Sequence, residues 1–235
     1  SMLLFITGVY RYSLLITGDR NISGYATLLA VFSSSFVETL HIFGQMPSII
    51  GIAVFMHALP EMYLWLKTGL YRYLFTSLSL IAVATVSHHV TPIFGMIFFI
   101  FPIIGMVILD ICKDQVGSYE EVSFKLFFEI FIKQFKRNIS FGLLSLLLIF
   151  GCLLPYWINS KNNPITQIPI PHGSRDNFIE VTSSGFVFFL IPWGVLLFLL
   201  PYFFYRFFSK RYFFFGLSFA LLLILGTGET TPIPR

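Results

Sequence analysis

Ser87-His88-His89-Val90-Thr91-Pro92 splits a hydrophobic run, from Leu70 to Cys112, into two arms of membrane-crossing length. A bilayer core needs ~20 apolar residues in a helix, so the run reads as a helical hairpin with a polar tip. Pro92 can open the second arm, because proline in the first helical turn forfeits only a donor that has no partner there. The tip also carries two adjacent imidazoles. Histidine titrates near neutral pH and ligates metals, so the pair is either a polar cap at the membrane surface or part of a site. Adjacent residues on a helix point ~100° apart, so only one of the two reaches a given centre. His89 lies nearer the Thr91-Pro92 turn and the water, and is the expected one.

Outward from this hairpin the whole chain has the same character. Of its 235 residues, 56% are hydrophobic and 11% charged, whereas soluble domains carry about 25% charged residues. So few charges cannot cover a solvated surface, which predicts an integral membrane protein with the lipid bilayer as partner. Thirty phenylalanines and long apolar runs favour helices over a barrel, whose strands would alternate over ~10 residues. The expected fold is therefore all-α: a polytopic bundle of about seven transmembrane spans with one amphipathic interfacial helix. The net charge of +4 marks topology and not a nucleic-acid partner, since lysine and arginine sit at helix ends. Cys112 and Cys152 lie in or beside apolar spans and read as small buried hydrophobes. The chain opens without a signal peptide and stops at Pro232-Ile233-Pro234-Arg235, directly after an apolar span. It reads as one integral membrane domain, 1–235, cut from a longer protein.

Residues 2–17 make a first span interrupted by Arg11, and Gly18 to Gly24 reads as a loop. From Tyr25 to Ile42 the chain is apolar but carries Glu38 and His41, three apart on one helical face that cannot look at lipid. The next span, about Ser48 to Leu66, holds His57 and Glu61 as an i,i+4 pair astride Pro60. That pair is expected to be a satisfied interhelical hydrogen-bond pair. Residues 70–87 and 92–111 form the hairpin, with a kink expected at Pro102 and Gly105. Between 113 and 137, Glu121, Lys125, Glu129 and Lys133 repeat every four residues among phenylalanines. This reads as a cytoplasmic amphipathic helix on the membrane surface. A span at 140–158 ends in Tyr156-Trp157, an interfacial aromatic pair. Residues 159–184 form a long polar loop whose alternating prolines keep it extended. Spans at 185–205 and 212–226 complete the chain.

Lysine and arginine set the orientation. Lys67, Arg72, Lys113, Lys125, Lys133, Lys136, Arg137, Arg206, Lys210 and Arg211 fall on one side, which the positive-inside rule makes cytoplasmic. Four polar stretches then collect on the external face: His41 to Pro47, Ser87 to Pro92, Asn163 to Asp176 and Gly226 to Arg235. Convergent polar groups in an apolar bundle define a candidate site.

These same stretches carry a resemblance. Phe36-Val37-Glu38-Thr39-Leu40-His41-Ile42-Phe43-Gly44-Gln45, Ser87 to Gly95, Ile170-Pro171-His172-Gly173-Ser174-Arg175 and Gly226 to Arg235 resemble a family of prokaryotic multi-pass membrane proteins labelled 6-pyruvoyl-tetrahydropterin-synthase-related. Nothing in the chain supplies the soluble, metal-bound pterin site that label suggests. More distantly, the architecture is similar to the GT-C type of membrane glycosyltransferase. That resemblance implies an active site on the external face and a sugar donor carried on polyprenyl phosphate. Such enzymes place a key carboxylate in a first external loop, and this chain shows no Asp-Asp or Glu-Asp pair in such a loop.

Three readings follow. In the first, a GT-C-like glycosyltransferase, the catalytic candidates are Glu38, His88, His89 and Asp176. His88 or His89 binds a divalent metal or a phosphate oxygen, and Glu38 or Asp176 serves as base or metal ligand. Arg175 forks onto phosphate with Lys161 assisting as a point charge, and His41, His172, Glu229 and Thr230 complete the substrate contacts. The second reading is a transporter or flippase for a lipid or polysaccharide, which predicts broken helices near the midplane. The third is a non-catalytic envelope scaffold whose polar stretches bind a partner.

Overall fold

The computed structural model describes residues 2–32, 46–163, 202 and 209–218. Among these the chain is helical and contains no strand. The helices are α1 (Met2–Thr17), α2 (Arg20–Val31), α3 (Met46–Thr68), α4 (Tyr71–Ser87), α5 (Val90–Gly95), α6 (Phe101–Val116) and α7 (Phe124–Asn162). A π-helical turn spans Met96–Ile100 and a 3-10 turn Lys210–Tyr212. Two of the helices, α3 and α7, are long and apolar enough to cross a membrane. The later spans, at 185–205 and 212–226, lie largely outside the described residues.

Local chemistry explains most boundaries. Gly18, Gly69 and Gly117 have φ of 70°, 74° and 90° and stop α1, α3 and α6, since only glycine enters this left-handed region without strain. The stretch from Gly18 to Gly24, expected as a loop, is shorter than that. Asp19 accepts from the amides of Asn21 and Ile22, at 2.7 and 3.0 Å, and so starts α2 at once. The expected kink near Pro102 is the π-helical turn. Proline has no N–H for the carbonyl four residues back, and the preceding turn widens instead. The expected interfacial helix is divided differently. Residues 113–116 finish α6, and 124–137 run without a break into the apolar span up to Asn162.

The chain divides into two compact units, residues 1–96 with 132–164 and residues 97–131 with 165–235. In the first, residue numbers rise together along α1 and α3. Phe5 packs on Ile49 and Ala53, Gly8 against Ala53 and Met56, and Arg11 bonds Glu61. The two helices are thus parallel. Ala30 packs against the Phe5 cluster, so α2 returns antiparallel to α1. Helix α4 returns along α3, with the Ser77 hydroxyl donating to the Ala58 carbonyl and His88 reaching Gly51. One end of this unit gathers Arg20, Lys67, Arg72 and Arg137 (the basic end), and the other gathers Ser87 to Thr91 (the histidine end).

Arg137 of α7 closes the basic end. Its Nη1 donates to the Leu66 carbonyl at 2.8 Å, satisfying a last-turn acceptor of α3, while its guanidinium lies over the Trp65 ring. A Cβ on Gly69 would sit 2.7 Å from Arg137 Nη2. The guanidinium cannot retreat without losing that cap. Gly69→Ala is therefore expected to cost roughly 1–3 kcal/mol, from left-handed strain and the displaced arginine. Denaturation of the purified variant in mixed micelles measures it, and a loss below ~0.5 kcal/mol would show that Arg137 yields freely.

In the second unit, Ile108, Cys112 and Ile130 form a core with Leu126, Phe127 and Phe131 around them. Segment 209–218 is held to α6 by Arg211, whose Nε and Nη2 donate to the Asp110 carboxylate at 2.8 and 3.0 Å. The Tyr119 hydroxyl adds a third bond to Asp110 at 2.6 Å. Burial pulls the Arg211 pKa down, but the hydrogen bonds and charge of Asp110 more than reverse this, and the net shift is upward. Phe214 lies on Gly105 and stacks on Phe127.

Candidate functional site

At the histidine end, α4 stops because His88 turns extended, while its backbone N–H still donates to the Ala84 carbonyl at 2.8 Å. The amide of Thr91 donates to the His88 carbonyl at 3.0 Å, which closes the turn, and the Thr91 hydroxyl lies 2.9 Å from His88 Nδ1. Gly51 of α3 makes room for this turn. A Cβ there would meet the His88 Cβ at 2.9 Å and the Thr91 hydroxyl at 3.1 Å. His88 is therefore half-buried and spoken for, held by Thr91 on one side and α3 on the other.

His89 differs. It is exposed, and its ring stacks on Tyr156 of α7 at a centroid distance of 6.3 Å. The two imidazoles are 6.1 Å apart with planes tilted by 39°. Burial, and next the nearby His89, lower the His88 pKa, which favours its neutral form. The arrangement gives one fixed structural imidazole and one open to a ligand. Tyr156, Trp157 and Lys161, all exposed near the C-terminal end of α7, belong to the same end of the unit. Among the described residues no group of three His, Cys, Asp or Glu side chains is placed to hold a metal. Glu38, His41, His172, Arg175, Asp176, Glu229 and Thr230 lie outside the described residues.

A second polar cluster bridges α1 and α3. Arg11 Nη2 donates to Glu61 Oε1 at 2.7 Å, and Arg11 Nη1 lies 3.1 Å from His57 Nδ1. His57 Nε2 lies 3.0 Å from the Leu4 carbonyl and 3.2 Å from the Thr7 hydroxyl. A carbonyl only accepts and a guanidinium only donates, so the bonds select the neutral Nε2–H tautomer. The i,i+4 spacing of His57 and Glu61 foretold an interhelical pair, but not its partner. The missed signal was Arg11, a single charge in an apolar helix that must find an anion.

Scans of this chain against protein-family models, curated proteins and solved structures return no match.

Proposed function

We propose that the chain is the membrane-embedded part of a multi-pass cell-membrane protein of about seven spans, acting at its external face on a polyprenyl-phosphate-linked sugar, as GT-C-type glycosyltransferases do. The resemblance to the prokaryotic 6-pyruvoyl-tetrahydropterin-synthase-related family belongs to the same proposal. One observation carries it. The first unit has opposite ends, with basic residues at one, the imidazole pair and interfacial aromatics at the other, and exposed apolar side chains between. Phe75, Val86 and Leu147 are 65%, 73% and 67% exposed, a surface that suits lipid and not water. The positive-inside rule turns the basic end to the cytoplasm and the histidine end outward.

In this reading His89 meets a phosphate oxygen of the donor, with Tyr156 fixing its ring and Lys161 adding a point charge. Glu38 or Asp176 supplies the base, Arg175 forks onto the phosphate, and His41, His172, Glu229 and Thr230 line the acceptor side. His88 holds the turn. His89→Gln is expected to insert and accumulate like the parent but to bind a polyprenyl-phosphate sugar about tenfold more weakly. Titration of the purified protein in nanodiscs with such a lipid reads this. Unchanged binding would remove His89 from the site, and no binding by the parent would overturn the proposal.

A further inference from the structure

Between α1 and α2 runs a groove of about 670 Å³, wholly within the first unit. Its lining changes along its length. Arg20 and Asn21 open α2 at the basic end, Arg11 stands two turns into α1, and Ile6 and Leu28 line it toward the histidine end. Arg11 is already tethered by His57 and Glu61, yet its side chain is 45% exposed, so further N–H donors remain for a ligand in the groove. A guanidinium fixed this way loses little freedom on binding an anion. Arg20 makes no hydrogen bond or ion pair among the described residues.

Both neighbouring carboxylates are engaged. Glu61 accepts from Arg11, and Asp19 is spent on the first amides of α2, so the helix end itself is not the anion site. Their negative charges oppose a dianion more than a monoanion. A free phosphate would also leave the Ile6–Leu28 half of the groove unfilled, and a groove this size suits a ligand far larger than one phosphate.

We propose that this groove binds an anionic phospholipid of the leaflet at the basic end. Its phosphodiester sits between Arg20 and Arg11, and an acyl chain lies along Ile6 and Leu28. The inference does not rest on the transferase reading and needs only a bilayer around the first unit.

Native mass spectrometry of the purified chain, titrated with phosphatidylglycerol or phosphatidylcholine, tests it. One phosphatidylglycerol per chain is expected to stay bound in preference to phosphatidylcholine. Arg20→Gln should weaken phosphatidylglycerol about tenfold or more, the loss of one charge-assisted contact. Arg72→Gln, at the same end but outside the groove, should change nothing. Leu28→Trp, which fills the apolar half from an exposed position, should weaken the lipid as well. Equal losses for Arg20→Gln and Arg72→Gln would mean diffuse attraction and overturn the site. Full competition by millimolar inorganic phosphate, or unchanged lipid binding in Leu28→Trp, would overturn the lipid and leave a small-anion site.

Discussion

Replacing Asp110 by alanine is expected to destabilise the second unit by about 3–5 kcal/mol, because it strands the Arg211 guanidinium without its anion. Asp110 is 4% exposed and takes two bonds from Arg211 and one from Tyr119. The pair itself need not be a large net gain, since desolvating two charges offsets most of their attraction. Asp110→Leu combined with Arg211→Met is therefore expected to recover most of the loss. Chemical unfolding in micelles, run as a double-mutant cycle, separates the two effects. A single-variant cost below ~1 kcal/mol would mean that water reaches the pair.

Gly105→Leu should be nearly as damaging, at about 3 kcal/mol, the upper range for overpacking. Even a Cβ at this position would lie 2.3 Å from the Phe214 ring. Phe214 cannot step aside cheaply, because it stacks on Phe127 and meets Phe101 edge-on, with centroids 5.6 and 5.7 Å away. Unfolding of the variant should show the loss, and pairing it with Phe214→Ala should restore part of it. If Gly105→Leu unfolds like the parent, segment 209–218 is not docked on α6 as described.

The two contacts mark what a sequence can and cannot disclose. Asp110 and Arg211 are separated by 101 positions, and neither belongs to a pattern that names the other. Periodicity reports which face of a helix is buried, not which side chain across the bundle will meet it. The bend before Pro102 was legible because a proline acts on its own helix, whereas the stop at Gly117 falls inside the stretch 113–137 expected as one helix. Asp19 sits in a run of turn-forming residues, Gly18 to Gly24, and that composition hides the carboxylate that caps α2. Helix α7 was divided too early. Its side chains change from amphipathic to wholly apolar near Arg137, but that changes the surroundings it prefers and leaves the helix itself unbroken. At the candidate site the histidine pair was visible as an anomaly. His89 was the one expected to face water, but the contacts that fix the turn could not be read, since Gly51 and Tyr156 approach it from two other helices.

The two anchor points of α7 in the first unit act as a ruler. Arg137 is tied to the end of α3, and Tyr156 is stacked on His89. The stretch between them rises about 28 Å at the α-helical pitch, close to the ~30 Å hydrocarbon thickness of a bilayer. A lone span absorbs hydrophobic mismatch by tilting or sliding, but one pinned at both ends passes the mismatch to the lipid or to its pins. With α7 in a bilayer, a change of thickness would therefore be felt at these two contacts, the Arg137 cap and the His89 ring.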